Sequence, residues 1–405
     1  MDVCIIPGKP GGTLKAPDSK SDIHRKLIAS ALCREETLIR TADTEFCDDV
    51  LATADCLRAL GAGIRIIAGK GIQVSPVRDI AGIPELDCRE CGSTLRFLIP
   101  VAAALYDKAR LTGAPSLAAR PLAPLLEALE KHGKRFSSSS LPLETEEKLN
   151  SGEYLLPGNV SSQFVSGLLF ALPLLEGDSS IRLSSPLEYA EYADMTLRVL
   201  SLFGIRIDKD GDRGFNIAGG QRYVSPGELT AEGDWSSCAF LMPAGVIYTG
   251  LDENSLQPDR AVKKYIELLK PGTEAGDIRI DVSPFPDLVP ILAVMACSVK
   301  GRVFLENAGR LRFKESDRLK SVCSMICSLG GKASEQGDSL VVEGCGVLAG
   351  GETDGFNDHR IVMSAVAASA LCRNRVIIRG AEAVNKSYPG FFRDFAYVGG
   401  KYSVI

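Results

Sequence analysis

The sequence predicts an α/β protein in which one supersecondary module is repeated through two domains. The first observation is a recurring pattern: a leucine-rich helical stretch ends at glycine and is followed by a short strand, a polar turn and a second strand. The pattern occurs at 57–76, 125–144, 197–219 and 319–344, with a weaker copy at 265–283. Glycine is a common helix stop, and turns such as Gly-Lys-Gly and Asp-Gly-Asp are typical of β-hairpins. The second observation is a composition of 45% hydrophobic and 24% charged residues, which is typical of globular domains.

Each copy indicates a strand-helix-strand-helix-strand-strand module, and six such modules would fill the 405 residues. Three of them predict an N-terminal domain at 14–225. The other three predict a C-terminal domain formed by 1–13 together with 226–405, whose last module takes its missing strand from the apolar run VCII near the N-terminus. The alternative is coincidental α/β patterning, because a helix followed by glycine and a strand is common in α/β proteins.

The charge and the cysteine content limit the classes of function that the protein can have. The 46 basic and 51 acidic residues give a net charge of −5, which argues against a nucleic-acid surface but allows a small anionic ligand. No apolar run reaches the roughly 18 residues of a membrane span, and the N-terminus lacks the features of a signal peptide, so we expect a cytoplasmic protein. The twelve cysteines are then expected to be reduced. One CxxC pair and three histidines, without a second pair at zinc spacing, predict no metal site.

Basic and hydroxyl side chains recur where loops lead into apolar helices. In the first half these are Lys20, Ser21 and Arg25, then Arg96, then Arg120, and then Ser161, Ser162 and Gln163. Helix N-termini attract anions through free N–H groups and the helix dipole. Each signal alone is equally compatible with ordinary helix capping and solvated charges.

The second half shows the same arrangement. Asp287 precedes an apolar helix, where it is either an N-cap or a general base. If the segment from Arg310 is helical, Lys314 and Arg318 share a face and Glu315 neighbours Arg318. Arg360 and Lys386 lie beside later helices. Cationic junctions in both halves favour a cleft between two domains that holds polyanionic ligands.

The order of these motifs resembles one known family. The segments SKSDIHR, CGSTLRF, SLAARP, GNVSSQF, EGDWSS, PDLVP, RFKESDR, FNDHR and NKSYPGFF occur as they do in EPSP synthases, the 3-phosphoshikimate 1-carboxyvinyltransferases. The resemblance covers essentially the whole chain. It implies an inside-out α/β barrel of two domains with the active site in the interdomain cleft.

The resemblance also implies a reaction. The enolpyruvyl group of phosphoenolpyruvate would be transferred to the 5-hydroxyl of shikimate 3-phosphate through a tetrahedral intermediate, with release of phosphate, as a step toward chorismate. It implies no cofactor and no metal, and it implies small-molecule substrates as the only partners of a monomer.

Residue roles are likewise implied by the resemblance. Contacts to shikimate 3-phosphate would come from Lys20, Ser21, Arg25, Ser161, Ser162, Gln163, Asp287 and Lys314. Contacts to phosphoenolpyruvate would come from Lys20, Gly92, Arg96, Arg120, Gln163, Arg318, Arg360 and Lys386. Asp287 would take the proton of the 5-hydroxyl, Glu315 would protonate the methylene carbon, and Lys20 would complete the catalytic set.

One departure from the family stands at Tyr189–Glu191, where many members have Ser-Lys-Pro or Ser-Arg-Pro. A phosphate-binding hydroxyl is either lost there or supplied by Ser185.

Two alternatives stay open. The sister enzyme, which transfers enolpyruvate to UDP-N-acetylglucosamine, typically has a cysteine-bearing loop and a Lys-Asn pair. Here the loop reads PSLAARP, and Lys20 is followed by Ser21. The other alternative is an inactive binding protein, against which the intact Lys20, Asp287, Glu315 and Lys386 argue.

Overall fold

The computed structural model describes residues 1–42, 45–159, 161–188 and 190–405. The chain divides into two compact units, which we call the central unit (Lys20–Ala231) and the terminal unit (Met1–Ser19 with Glu232–Ile405). Both borders lie a few residues beyond the predicted domain bounds of 13/14 and 225/226. The backbone N–H of Ser19 donates to Glu232 O at 2.7 Å, and this contact keeps the segment before Lys20 with the terminal unit.

Twenty-two strands are formed by the residues that the structure describes. They are β1 (Val3–Ile6), β2 (Gly12–Lys15), β3 (Thr37–Arg40), β4 (Gly63–Ile67), β5 (Gly71–Ser75), β6 (Glu85–Asp87), β7 (Ala109–Thr112), β8 (Arg135–Phe136), β9 (Leu143–Glu146), β10 (Glu153–Leu156), β11 (Ser179–Leu183), β12 (Ile207–Asp210), β13 (Gly214–Ile217), β14 (Glu228–Thr230), β15 (Val246–Thr249), β16 (Glu274–Asp281), β17 (Lys300–Glu306), β18 (Lys332–Gln336), β19 (Ser339–Glu343), β20 (Gly351–Asp354), β21 (Val376–Arg379) and β22 (Lys401–Val404).

The helices alternate with these strands. They are α1 (Lys20–Ala31), α2 (Asp48–Ala59), α3 (Gly92–Leu105), α4 (Pro115–Ala118), α5 (Ala123–Glu130), α6 (Ser162–Ala171), α7 (Ala190–Leu202), α8 (Trp235–Cys238), α9 (Val262–Leu268), α10 (Val289–Ala296), α11 (Arg318–Ser328), α12 (His359–Ala368) and α13 (Phe391–Tyr397). Short 3₁₀ helices lie at Leu172–Leu174, Met242–Ala244, Pro258–Ala261, Pro286–Leu288, Gly309–Phe313, Ser369–Leu371 and Ala381–Lys386. No helix among the described residues is both long and apolar enough to cross a membrane.

The described residues of the central unit form three four-stranded sheets of one topology, with orders β6-β7-β9-β8, β10-β11-β13-β12 and β14-β3-β5-β4. In each sheet the first two strands are parallel and the last pair is an antiparallel hairpin. This is the predicted strand-helix-strand-helix-strand-strand module, and the predicted α/β class is confirmed. The first module takes its outer strand, β14, from the end of the unit.

The terminal unit repeats the module less regularly. Its sheet β16-β17-β19-β18 is complete, whereas β2 and β15 form only a two-stranded parallel sheet. In the sheet β20-β21-β1-β22, strand β1 pairs antiparallel with both neighbours, so the predicted return of VCII is confirmed.

The weak repeat at 265–283 was misassigned. Helix α9 is followed there by one eight-residue strand, β16, and not by a hairpin. This strand pairs parallel with β17, which makes it the first strand of the next module.

The modules place apolar helices inside each unit. In the central unit α1, α3 and α6 are almost entirely buried, and in the terminal unit α10 and α12 are. Helices α3 and α6 approach so closely that a Cβ on Gly167 would lie 2.4 Å from the carbonyl oxygen of Arg96. Because this contact leaves room only for glycine, it fixes the separation of the two helices at Arg96 and Gly167.

Candidate active site

The first turn of α1 places Lys20 and Arg25 in the central unit. Lys20 Nζ lies 2.8 Å from Asp49 Oδ2, and both side chains are about 15% exposed or less. Arg25 is 2% exposed and donates to the carbonyls of Ser21 and Tyr192 at 2.7 and 2.9 Å and to Thr196 Oγ1 at 2.9 Å. Burial lowers the pKa of Arg25 to about 10, so the guanidinium stays charged near neutral pH.

A second cationic group surrounds the N-terminus of α3. Arg96 Nη1 donates to Gln163 Oε1 at 2.8 Å, and Gln163 Nε2 donates to Ser93 Oγ at 2.8 Å. A Cβ built on Gly92 would lie 2.9 Å from Arg120 Nη1 and 3.2 Å from Arg96 Nη1. The guanidinium groups of Arg96 and Arg120 therefore converge on Gly92, which has no side chain. The structure brings these four predicted residues, Gly92, Arg96, Arg120 and Gln163, together.

The N-terminus of α6 holds the predicted serines. Ser161 is the N-cap, and its hydroxyl accepts a hydrogen bond from the Gln163 backbone N–H at 3.3 Å, while Ser162 is buried. The capping role that sequence analysis left open for Ser161 is therefore real. The Ser185 hydroxyl is buried, and no hydrogen-bond partner for it is found in the part of the chain that is described. The departure that begins at Tyr189 includes a residue outside the described ranges.

One group of potential metal ligands stands out among the described residues: His24, Asp49 and Cys91, whose ligand atoms lie within 4.8 Å of one another. The His24 ring is 2.7 Å from Thr53 Oγ1. Burial and then the charges of Lys20 and Arg25 lower the pKa of His24 well below 6.5. The same two charges would repel a divalent cation more strongly still, so the electrostatics disfavour a metal there.

In the terminal unit, three cations converge on Asp287, which lies in the 3₁₀ turn before α10. Its Oδ1 is 2.8 Å from Arg318 Nη1 and 3.5 Å from Lys314 Nζ, and its Oδ2 is 3.0 Å from Arg360 Nη2. Burial alone would raise the pKa of Asp287, but the charges of Arg360, Lys314 and Arg318 outweigh it and hold the pKa well below 3.8.

Arg318 is the centre of this group. Its guanidinium is 1% exposed and contacts three carboxylates, those of Asp287, Glu315 and Asp358. Burial would lower the pKa of Arg318, but the three carboxylates raise it above its usual value. Helix α11 begins only at Arg318, so the helical pairing considered for Lys314 and Arg318 does not occur. These two cations meet instead through Asp287.

Arg360 and Lys386 complete the terminal group. Arg360 Nη1 also donates to Ser236 Oγ at 2.8 Å and to the Asp287 carbonyl at 3.2 Å. Lys386 Nζ donates to the carbonyl of Asn357, in the loop before α12, at 2.7 Å.

Two carboxylates at these sites were missed by sequence analysis, Asp49 beside Lys20 and Asp358 beside Arg318. Asp358 is the N-cap of α12, and the only available sequence signal, an Asp before an apolar helix, indicated no more than a cap. Asp49, in the first turn of α2, carried no distinguishing signal.

Taken together, each unit presents helix N-termini with clustered cations, and the terminal unit adds carboxylates that can exchange protons. This chemistry suits an enzyme that acts on phosphorylated, carboxylated substrates.

Comparisons with known proteins identify the family. The model of the family described as EPSP synthase (3-phosphoshikimate 1-carboxyvinyltransferase) matches residues 6–395. A 3-phosphoshikimate 1-carboxyvinyltransferase of Clostridium kluyveri is 40% identical, over 98% of this chain and 97% of that protein. One of Clostridioides difficile is 37% identical over the same shares. The chain therefore belongs to the EPSP synthase family.

Solved structures confirm the fold. The EPSP synthase of Acinetobacter baumannii superimposes with a TM-score of 0.80 at 23% identity, covering all of both chains. The predicted inside-out α/β architecture is therefore confirmed at the level of the fold.

Proposed function

We propose that this protein transfers the enolpyruvyl group of phosphoenolpyruvate to the 5-hydroxyl of shikimate 3-phosphate, the activity for which its relatives are named. The observation that carries the proposal is Asp287, a carboxylate surrounded by Lys314, Arg318 and Arg360. Such a site combines a proton acceptor with charges that bind a phosphate or carboxylate.

The substrate assignments are those that the resemblance to the EPSP synthase family implies. Lys20, Ser21, Arg25, Ser161, Ser162 and Gln163 are assigned to shikimate 3-phosphate, together with Asp287 and Lys314 at its hydroxyls. Gly92, Arg96, Arg120, Arg318, Arg360 and Lys386 are assigned to phosphoenolpyruvate, with Lys20 and Gln163 reaching both substrates. Gly92 supports this assignment because its missing side chain leaves the Arg96 and Arg120 guanidinium groups accessible to an anion.

In the proposed addition step, Asp287 takes the proton of the 5-hydroxyl of shikimate 3-phosphate. The oxygen of that hydroxyl forms a bond to C2 of phosphoenolpyruvate at the same time. Glu315 gives a proton to the methylene carbon, which becomes a methyl group. In the elimination step a proton of that methyl group returns to Glu315, the C–O bond to phosphate breaks and the double bond is restored. The proton held by Asp287 leaves with the phosphate, so both carboxyl groups return to their starting states. No electrons leave or enter the two substrates, so the chemistry requires no redox cofactor.

The low pKa of Asp287 fits this sequence of events. In the free protein its three cations make it a weak base. A bound phosphoenolpyruvate anion would compete with Asp287 for Arg318 and Arg360, and this competition would raise its pKa. Asp287 would then become a stronger base only once the second substrate is in place.

The test is phosphate release from purified protein. We expect release when both substrates are present and none with either alone, with the Asp287→Ala variant as the inactive control. Release with UDP-N-acetylglucosamine in place of shikimate 3-phosphate would instead support the sister activity, and no release under any combination would contradict the proposal. Cytoplasmic location and a monomeric state remain predictions.

A further inference from the structure

Asp358 is a fully buried carboxylate that the assigned reaction does not use. It is 0% exposed and stands at the N-cap of α12, directly before His359 and Arg360. Burying a carboxylate destabilises the folded protein unless the charge is fully paired. The partners of Asp358 therefore indicate its role.

Those partners come from three places in the terminal unit. Asp358 Oδ2 accepts from Arg318 Nε at 2.8 Å and from Ser316 Oγ at 3.1 Å. Its Oδ1 accepts from Arg318 Nη2 at 3.3 Å and from the backbone N–H of Arg360 at 3.0 Å. One carboxylate therefore joins the start of α11, the loop before it and the start of α12.

This contact sets the direction of the Arg318 guanidinium. Its Nε and Nη2 edge faces Asp358, which leaves Nη1 directed at Asp287 at 2.8 Å. Arg360 Nη2 reaches the other oxygen of the same Asp287 carboxylate at 3.0 Å. The two guanidinium groups are thus held on either side of one carboxylate, a spacing that also suits two-point recognition of a substrate carboxylate or phosphate.

The loop before Asp358 is held in an unfavourable conformation. Phe356 and Asn357 have φ angles of +51° and +52°, a region that bulky residues rarely adopt. Contacts on either side stabilise it: the Asp358 backbone N–H donates to Gly355 O at 2.9 Å, and Lys386 donates to Asn357 O. Strain of this kind persists where the surrounding structure fixes the backbone for a purpose.

We propose that Asp358 is a positioning residue, which holds Arg318 and Arg360 as a matched pair for the carboxylate or phosphate of phosphoenolpyruvate. Asp358 itself does not touch the substrate, because it is buried behind Arg318. The inference rests on the proposed function.

The test is the Asp358→Asn variant, which keeps the shape and a helix-capping oxygen but removes the charge that orients Arg318. We expect the KM for phosphoenolpyruvate to rise at least about tenfold, the size of one lost hydrogen bond to a charged group. The KM for shikimate 3-phosphate should change less than about twofold. The matched control is Asp317→Asn, since Asp317 is the N-cap of α11 and is hydrogen-bonded to Lys320 N. It should change neither KM appreciably.

A purely structural role predicts a different result. If Asp358→Asn lowers the melting temperature but changes both KM values equally, or matches the Asp317 control, the inference is wrong. If Asp358→Asn does not fold, the test uses Ser316→Ala, which removes one hydrogen bond to the Asp358 carboxylate. This variant should raise the KM for phosphoenolpyruvate but not the KM for shikimate 3-phosphate. An unchanged ratio of the two KM values would overturn the inference. Wild-type protein without activity would refute the proposed function instead, so the two failures are distinguishable.

Discussion

The most deeply buried arginines of the central and terminal units are Arg25 and Arg318, and their surroundings differ in charge. Arg25 in the central unit has neutral hydrogen-bond partners, two carbonyls and a hydroxyl, and its pKa is lowered to about 10. Arg318 in the terminal unit contacts three carboxylates, and its pKa is raised.

The difference shows how one module serves two purposes. Neutral partners orient Arg25 without cancelling its charge, so the charge remains available to an incoming anion. The carboxylates around Arg318 neutralise its charge. The same ion pairs hold the side chains of Asp287 and Glu315 in place. We infer that the central unit mainly binds, whereas the terminal unit also supplies the proton chemistry.

The largest expected effect is on stability. Arg318→Met would leave Asp358 buried without its cation, and breaking a buried pair in this way costs about 3–5 kcal/mol. Arg25→Met removes the donor to three neutral acceptors, so its cost should be smaller, within about 1–3 kcal/mol. Urea unfolding of both variants measures the two losses in free energy of unfolding. Equal losses would contradict the proposed difference between Arg25 and Arg318.

The next effect is on turnover. Asp287→Asn should lower kcat at least about 100-fold, the usual contribution of a general base, while binding of shikimate 3-phosphate remains measurable. Asp281→Asn is the control, because Asp281 lies at the end of β16 and its carboxylate accepts hydrogen bonds from the backbone N–H of Ser283 and from Asn307 Nδ2, both outside the cluster around Asp287. Near-normal turnover of Asp287→Asn would exclude this residue from the chemistry.

A smaller effect is expected at Gly92. In Gly92→Ala the new methyl group would lie 2.9 Å from Arg120 Nη1, so Arg120 must shift. We expect the KM for phosphoenolpyruvate to rise about tenfold, with little change in melting temperature. Gly8→Ala is the matched control, because an added Cβ there meets nothing within 4 Å. If both variants bind phosphoenolpyruvate equally well, the arginine pair is not at the substrate.

The smallest effect concerns Asp259, a buried residue of the terminal unit. Burial, and then the charge of Asp287, raise its pKa to about 7. The folded protein therefore retains a proton that the unfolded chain loses near pH 4, and stability should fall as the pH rises from about 4 to 7. In Asp259→Asn this pH-dependent loss of stability is absent. Between pH 5 and pH 8 the free energy of unfolding of the variant should therefore rise, relative to that of wild type, by at least about 1.4 kcal/mol, the value of one pKa unit. Parallel pH profiles of the melting temperature would contradict the assignment.

Sequence periodicity predicted the module because helix, glycine and hairpin signals are local. It also placed VCII correctly, since a short apolar run without a partner must complete a sheet elsewhere. The pattern was wrong at 265–283, where a polar, glycine-containing stretch suggested a hairpin but β16 pairs with the distant β17.

The positions of these cations near the starts of helices were predictable from the sequence, but their partners were not. Arg318 meets Asp287 and Asp358, residues 31 and 40 positions away in the chain, and no local pattern encodes such contacts. Asp358 has the sequence context of an ordinary helix cap, and only its burial against Arg318 distinguishes it.

The most direct test of this division of labour is the affinity for shikimate 3-phosphate, measured by titration calorimetry on wild type, Arg25→Gln and Glu315→Gln. We expect Arg25→Gln to bind shikimate 3-phosphate at least about tenfold more weakly, because the variant loses a buried charge that is assigned to this substrate. Glu315→Gln should bind within about twofold of wild type although its turnover collapses. Normal binding by Arg25→Gln, or an equal loss in both variants, would contradict the assignment of binding to the central unit and proton transfer to the terminal unit.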